Sequence, residues 1–249
     1  MKTVLITGCS SGFGAEIARY FLDRDWRVIA TMRTPRPDVL PASDRLRVLA
    51  LDVTDADRIR EAVAAAGPID ALVNNAGIGM LSILEDTPMA NVRRIFETNT
   101  FGTMAMTQAV LPQFRGRKAG TVVNVTSSVT LRSLPMLSVY TASKAAVNAF
   151  TESLALELQP FNVQVKLVLP GRATTTAFGQ NARTHMPDIP LAYDDFAKGV
   201  FERMGQAGGL ETHALDVADA VWRAVTDPSC PMRLPAGADA VAWASSTAG

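Results

Sequence analysis

Thr3-Val4-Leu5-Ile6-Thr7-Gly8-Cys9-Ser10-Ser11-Gly12-Phe13-Gly14 carries a short β-branched, apolar run into a glycine-rich turn, and that turn into a helical pattern that continues to Asp23. Glycines have no Cβ, so such a turn is tight and its backbone can lie against a ligand. The helix that follows offers unpaired N–H groups and a partial positive charge to an anion. Gly8, Ser10, Ser11, Gly12, Phe13 and Gly14 are therefore candidate contacts for a pyrophosphate. The spacing is G-x-x-x-G-x-G, so the common G-x-G-x-x-G fingerprint is not strictly met. A purely structural turn is the alternative reading of these residues. Position argues against it, because open parallel sheets bind ligands at the carboxyl ends of their strands.

Working outward, short apolar runs recur at Thr3 to Thr7, Arg27 to Thr31, Arg47 to Leu51, Ala71 to Asn74, Thr121 to Thr126, Val163 to Leu169 and Met232 to Leu234. Helical patterns separate them, the clearest at Gly12 to Asp23, Asp55 to Ala66, Met89 to Arg115, Tyr140 to Leu158 and Asp216 to Thr226. The alternation predicts an α/β fold: a Rossmann-like, doubly wound parallel sheet of about seven strands with helices on both faces. Several strands lack polar alternation, as expected where both faces are covered. Prolines 35, 37 and 41 make a helix between the second and third strands doubtful. From 172 to 213 the pattern weakens, which points to a substrate lid with a short helix from Asp194 to Met204. The whole of 1–249 reads as a single dinucleotide-binding and catalytic domain.

Composition narrows the function. Lys plus Arg number 24 and Asp plus Glu number 24, with no basic run, which argues against nucleic-acid binding. Two cysteines, Cys9 and Cys230, build neither a disulfide framework nor a thiolate metal site. His185 and His213 have no carboxylate-rich or cysteine partner motif, so no metal is expected. The apolar start is too short for a signal peptide, and no stretch approaches the roughly 20 apolar residues of a membrane span. A cytoplasmic protein is expected.

Further motifs follow the glycine turn in order: Asn75-Ala76-Gly77, Asn99, Ser127, Tyr140-x-x-x-Lys144 and Pro170-Gly171. Together with Thr7-Gly8-x-x-x-Gly12-x-Gly14 they resemble the short-chain dehydrogenase/reductase family, over about Lys2 to Gly171. The opening turn and the Ala30-Thr31-Met32-Arg33 strand end are most similar to its steroid and retinol dehydrogenase branch. That resemblance implies a nicotinamide cofactor and hydride transfer to or from a carbonyl or secondary alcohol carbon, with a small and hydrophobic substrate. It also implies assembly as a homodimer or homotetramer through the helices at Met89 to Arg115 and Tyr140 to Leu158.

The second strand ends without the carboxylate that would bind a free ribose and repel a 2′-phosphate. Arg33 can pair with such a phosphate through its guanidinium fork, and Ser11 can add a hydroxyl, so NADP(H) is the expected cofactor. A solvated surface arginine is the other reading of Arg33. By resemblance, Asp52 and Val53 flank the adenine and Asn75, Ala76 and Gly77 pass close to the ribose. Asp52 or Thr54 could otherwise cap the following helix. Pro170, Gly171, Ala173 and Thr175 are implied to reach the nicotinamide, with Thr174 or Thr176 as substitutes for Thr175. Ala173 is smaller than the aliphatic residue the family tends to place there, and Arg172 is also uncommon.

Tyr140 and Lys144 are four apart, so a helix presents both on one face. A nearby ammonium favours phenolate and would bring a phenol of pKa about 10 toward working pH, suiting Tyr140 as acid and base. By resemblance, aligning on Asn124 and counting thirteen residues back from Tyr140 gives Ser127 as the hydroxyl that holds the substrate oxygen, with Ser128 as the alternative. Asn99 lies in the long fourth helical pattern, where a poor helix former suggests a kink. The resemblance gives its carbonyl a water that links Lys144 to solvent; a solvent-facing asparagine is the alternative. Leu134, Met136, Leu137, Phe178, Met186, Phe196 and Met204 would line an adaptable apolar pocket, or equally form ordinary core. A catalytically silent NADP(H)-binding sensor or structural protein is the competing class, disfavoured because Ser127, Tyr140 and Lys144 are all present at workable spacing.

Overall fold

The computed structural model describes residues 1–173, 182, 186–205 and 209–246. Its seven strands are β1 (Thr3–Ile6), β2 (Arg27–Met32), β3 (Leu46–Ala50), β4 (Ala71–Asn74), β5 (Gly120–Val125), β6 (Val163–Pro170) and β7 (Arg233–Ala236). The order β3-β2-β1-β4-β5-β6-β7 is parallel throughout. Helices α1 (Gly12–Leu22), α2 (Ala56–Ala66), α3 (Met89–Phe96), α4 (Gly102–Arg117), α5 (Ser138–Leu158), α6 (Asp194–Gly205), α7 (Ala214–Thr226) and α8 (Ala238–Ser246) complete the Rossmann-like fold. The direction of winding reverses between β1 and β4, which opens a crevice at their carboxyl ends.

Successive strand residues feed opposite faces, so each strand divides its apolar side chains between two cores. Val4, Ile6, Val28, Ala30, Val73 and Val123 pack with Phe21, Trp26, Val217 and Val221 beneath α1 and α7. Leu5, Ile29, Leu72 and Val122 pack with Ile59, Met106, Val110, Phe114 and Leu154 beneath α2, α4 and α5. Truncating the fully buried Phe114 to alanine would cost about 3–5 kcal/mol.

Three sequence expectations change. The fourth helical pattern is not one helix: a π-turn, Glu97–Phe101, separates α3 from α4, and the Gly102 N–H donates to Glu97 O across it. The expected kink at Asn99 takes this form. Helix α2 is capped by Asp55, whose carboxylate accepts the N–H groups of Asp57 and Arg58, and not by Asp52 or Thr54. Asp52 Oδ1 instead accepts the Thr54 N–H and hydroxyl at 2.9 and 2.8 Å. Helix α8 was not foreseen. Between β2 and β3 only a single 3₁₀ turn interrupts the proline-rich loop, and α6 falls where the short lid helix was expected. No helix among the described residues is long and apolar enough to cross a membrane.

Candidate active site

At the crevice, Thr7 continues the β1 ladder, its N–H donating to Val73 O, and Cys9 N–H donates to Thr31 O at the end of β2. The turn therefore bridges three strand ends. Asn75 and Ala76 donate their N–H groups to Thr7 Oγ1, both at 3.0 Å, and Asn75 Nδ2 donates to Thr7 O at 2.9 Å. The two glycine-bearing loops are thus one unit, with the buried Thr7 hydroxyl as its hinge pin. A Cβ on Gly14 would fall 2.2 Å from Gly8 O, and one on Gly8 would fall 2.8 Å from Ala76 Cα. Only glycine permits that approach. No side chain caps the start of α1 and no acidic residue stands in its first turn, so its N-terminal dipole faces the crevice uncompensated. Such a cradle fits a pyrophosphate, which supplies the missing negative charge.

Arg33 is exposed just past β2. Close by, Arg36 donates from Nη2 to Ser10 O, tying the proline-rich loop to the glycine turn. The prolines of this loop drew attention away from Arg36; a second arginine three residues after Arg33 was the available signal. Val53 is packed against the start of α4, where a Cβ on Gly102 would lie 2.8 Å from its Cγ2.

The second half of the site lies at the ends of β5 and α5. Tyr140 and Lys144 are both buried, at 6% and 5% exposure. Ser127, just beyond β5, hydrogen-bonds the Tyr140 phenol, whose pKa burial pushes up to about 12 against the lowering effect of that bond. Ser128 is almost wholly buried, and the hydroxyl that meets Tyr140 is that of Ser127. Lys144 Nζ donates to Val125 O at 3.1 Å, and burial pulls its pKa down to about 8. The expectation that the ammonium would bring the phenol toward neutrality is corrected: the shift runs upward instead, set by burial with the Ser127 hydrogen bond opposing it.

Asn99 is buried, not solvent-facing, and the π-turn aims its side chain across the site. Its Oδ1 accepts the Ile78 N–H at 2.8 Å, while Nδ2 donates to Ile78 O at 2.9 Å and to Ser143 Oγ at 3.1 Å. Ser143 in turn donates to Tyr140 O at 2.7 Å. The Asn99 carbonyl accepts the Thr103 hydroxyl at 2.9 Å. Over Gly77 the two chains meet: a Cβ there would lie 3.2 Å from Lys144 Nζ and 3.3 Å from Asn99 Oδ1. Ser143 was missed by sequence reasoning, although it lies one turn after Tyr140 on the same helix.

Pro170 ends β6 and Gly171 to Ala173 follow it at the same end of the sheet. Thr174, Thr175, Thr176 and Phe178 lie outside the described residues, as does His185. Of the expected pocket residues, Met136, Leu137, Met186 and Met204 gather with Leu81, Ala197 and Val200 where α6 packs beside the loop leading to Tyr140. Phe196 points outward, 48% exposed.

The site thus places an anion cradle at one end of the crevice and a hydroxyl pair beside a buried amine at the other. A family model for short chain dehydrogenase matches residues 2–186, and the chain belongs to that family. It is an oxidoreductase of that class. An uncharacterized oxidoreductase of Bacillus subtilis, YusZ, is 37% identical over 238 residues, covering 90% of this chain and 85% of the other. Human retinol dehydrogenase 8 is 36% identical over 201 residues, 76% of this chain and 65% of that protein. Among solved structures, a short-chain dehydrogenase from Streptomyces avermitilis superposes with a TM-score of 0.84 at 35% identity, over 98% of this chain and 91% of that one. A serine dehydrogenase complexed with NADP+ gives 0.81 at 30% identity, over 95% of each chain.

Proposed function

We propose that the protein is an NADP(H)-dependent ketoreductase or alcohol dehydrogenase for a small, hydrophobic carbonyl or secondary alcohol. The observation that carries this reading is the Ser127–Tyr140 hydrogen bond, buried beside Lys144 at the strand end that faces the glycine cradle. Gly8 to Gly14 would hold the pyrophosphate, Asp52 and Val53 the adenine, and Asn75, Ala76 and Gly77 the ribose. Ser11, Arg33 and Arg36 would meet a 2′-phosphate, and Pro170, Gly171, Ala173 and Thr175 the carboxamide end. When bound, NADPH supplies a hydride, and with it two electrons, to the carbonyl carbon. Ser127 holds the carbonyl oxygen, and Tyr140 gives its hydroxyl proton to that oxygen as negative charge develops there. A phenol with a pKa of about 12 is fully protonated at neutral pH, so it enters the reduction as the acid. Lys144, near 8, can both hold and release the proton that restores Tyr140. Asn99 keeps the loop carrying Gly77 and helix α5 in register with one another.

The apolar cluster of Met136, Leu137, Met186 and Met204 supports a hydrophobic substrate, as does the likeness to retinol dehydrogenase 8. The NADP+ complex of the similar serine dehydrogenase supports the cofactor. Assembly of two or four copies through the Met89 to Arg115 region, which holds α3 and α4, and through α5 belongs to the same reading; Leu156 on α5 and Phe101 before α4 are exposed there at 68% and 53%. Titration of the purified protein with NADPH and NADH, followed by turnover over a panel of hydrophobic ketones and aldehydes beside Tyr140→Phe, tests it. Tighter NADPH binding, with turnover that vanishes in Tyr140→Phe, is expected. Binding without turnover would refute the enzymatic reading, and equal affinity for the two cofactors would refute the role of the arginines.

A further inference from the structure

Asp239, in the first turn of α8, is a carboxylate at only 6% exposure, far in sequence from the residues of the candidate site. Burying a carboxylate is costly unless its oxygens are matched by donors. Here both are matched, one by the turn after β6 and the other by Thr212. Oδ2 accepts the Arg172 N–H at 2.6 Å, and Oδ1 accepts the Thr212 hydroxyl at 2.6 Å. Thr212, itself 1% exposed, accepts the Gly171 N–H on Oγ1 at 3.0 Å. Its own N–H donates to Arg172 O at 3.0 Å. A Cβ on Gly171 would fall 2.1 Å from Asp239 Oδ1, so the carboxylate rests directly on that Cα.

The consequence for the turn is geometric. The N–H and carbonyl of Arg172 face Asp239 and Thr212, and the Gly171 N–H is shared between Thr212 Oγ1 and Ala236 O, the latter at 3.1 Å. In a trans peptide the carbonyl and the following N–H point in opposite directions, so the pinned Arg172 carbonyl also sets the direction of the Ala173 N–H. The guanidinium of the same Arg172 donates to Met204 O in α6 at 3.1 Å and pairs with Glu211 at 3.2 Å. Backbone and side chain of one residue therefore join the turn after β6 to the C-terminal helix on one side and to α6 on the other.

We infer that Asp239, acting through Thr212, is a positioning residue: it locks the Gly171–Arg172 backbone so that the peptide after it meets the carboxamide end of the nicotinamide. This rests on the reading of Pro170 to Ala173 given under the proposed function. The pair then governs binding of the nicotinamide half and the geometry of hydride transfer, and leaves the adenosine half untouched. Two ligands separate these halves: NADPH, and 2′,5′-ADP, which carries the adenosine and the 2′-phosphate but no nicotinamide.

Dissociation constants for both, with kcat and KM, should be measured on the full chain for the wild type, Asp239→Ala, Asp239→Asn and Thr212→Val. In Asp239→Ala, NADPH is expected to bind about tenfold more weakly, the loss that follows from leaving buried donors unmatched, while 2′,5′-ADP stays within about twofold. Turnover falls through kcat, and KM for the carbonyl substrate changes little. Asp239→Asn should recover most of the loss, because an amide can accept from Arg172 and donate to Thr212, whose hydroxyl then turns to Ala236 O, 3.0 Å away. Thr212→Val should weaken NADPH in the same sense. The inference is overturned if variants that still bind 2′,5′-ADP keep the wild-type ratio of the two affinities and the wild-type kcat. If Asp239→Ala does not fold, Thr212→Val decides by the same ratio. A wild type in which NADPH gains nothing over 2′,5′-ADP removes the nicotinamide site itself, and the inference with it.

Discussion

Lys144→Met should make the protein more stable at neutral pH while abolishing turnover. Burial moves the Lys144 pKa from the ordinary 10.5 to about 8, which corresponds to roughly 3 kcal/mol against the charged form in the folded chain. Methionine is of similar length and carries no such penalty. It also cannot donate to Val125 O, and an unmatched buried carbonyl costs about 1–2 kcal/mol. A net gain of about 1–2 kcal/mol is left, or about 2–6 °C in Tm for a domain of this size. The pH dependence separates this from a packing effect. Between pH 8 and 10.5 the unfolded lysine keeps its proton and the folded one releases it. The unfolded chain then binds more protons, so the wild type gains stability as pH rises through that window. Tyr140 drifts the other way between 10 and about 12, but it does so in both proteins and cancels in the difference. Thermal unfolding of both proteins near neutrality and at about pH 10.5 should therefore show the advantage of the variant lost and replaced by a deficit of about 1 kcal/mol, the unmatched Val125 carbonyl alone remaining. A variant less stable than wild type at neutral pH, or a gap that ignores pH, would refute the argument.

Ser127→Ala removes the one hydrogen bond that lowers the Tyr140 pKa, so turnover should fall by about 10²–10³ with NADPH affinity unchanged in a fluorescence titration. Gly14→Ala drives a methyl group to within 2.2 Å of Gly8 O, and since backbone cannot yield there, calorimetry should show nucleotide binding lost and Tm lowered. Burial pushes the Cys9 thiol up to about 12 and raises that of Cys230 as well, so a thiol-reactive dye should label neither in the native protein and both after denaturation. Because the phenol is neutral until about pH 12, alcohol oxidation should keep accelerating above pH 9, whereas a profile that turns down there through Tyr140 would contradict its burial.

Strand positions and the doubly wound class were legible because buried parallel strands are continuous apolar runs, and here they alternate with helical patterns. Motif order carried Ser127 over Ser128, a choice that the Ser127–Tyr140 hydrogen bond supports. What could not be read was tertiary desolvation. Spacing on a helix brings Tyr140 and Lys144 to one face, but it does not count the side chains that close over them, and these decide both pKa values. In the sequence the cap of α2 is expected at Asp52 or Thr54, with Asp55 as the first helical residue; all three can accept an N–H, and only backbone geometry makes Asp55 the cap. Helix α8 escaped because one of its two buried residues is an aspartate, Asp239, where a hydrophobic pattern predicts an apolar side chain. Arg36, Ser143 and Thr212 have no motif of their own; each matters through a residue distant in the chain.

The π-turn at Glu97–Phe101 is what remains when one extra residue is accommodated in an otherwise α-helical run. Removing any one residue of that turn would let α3 and α4 fuse into a single, better hydrogen-bonded helix. Everything on the far side would then rotate by about 100°, and Asn99 would leave Ile78 and Ser143 behind. The chain thus retains a local defect whose repair is one codon away, and the shorter helix-continuous protein would exchange a site for stability.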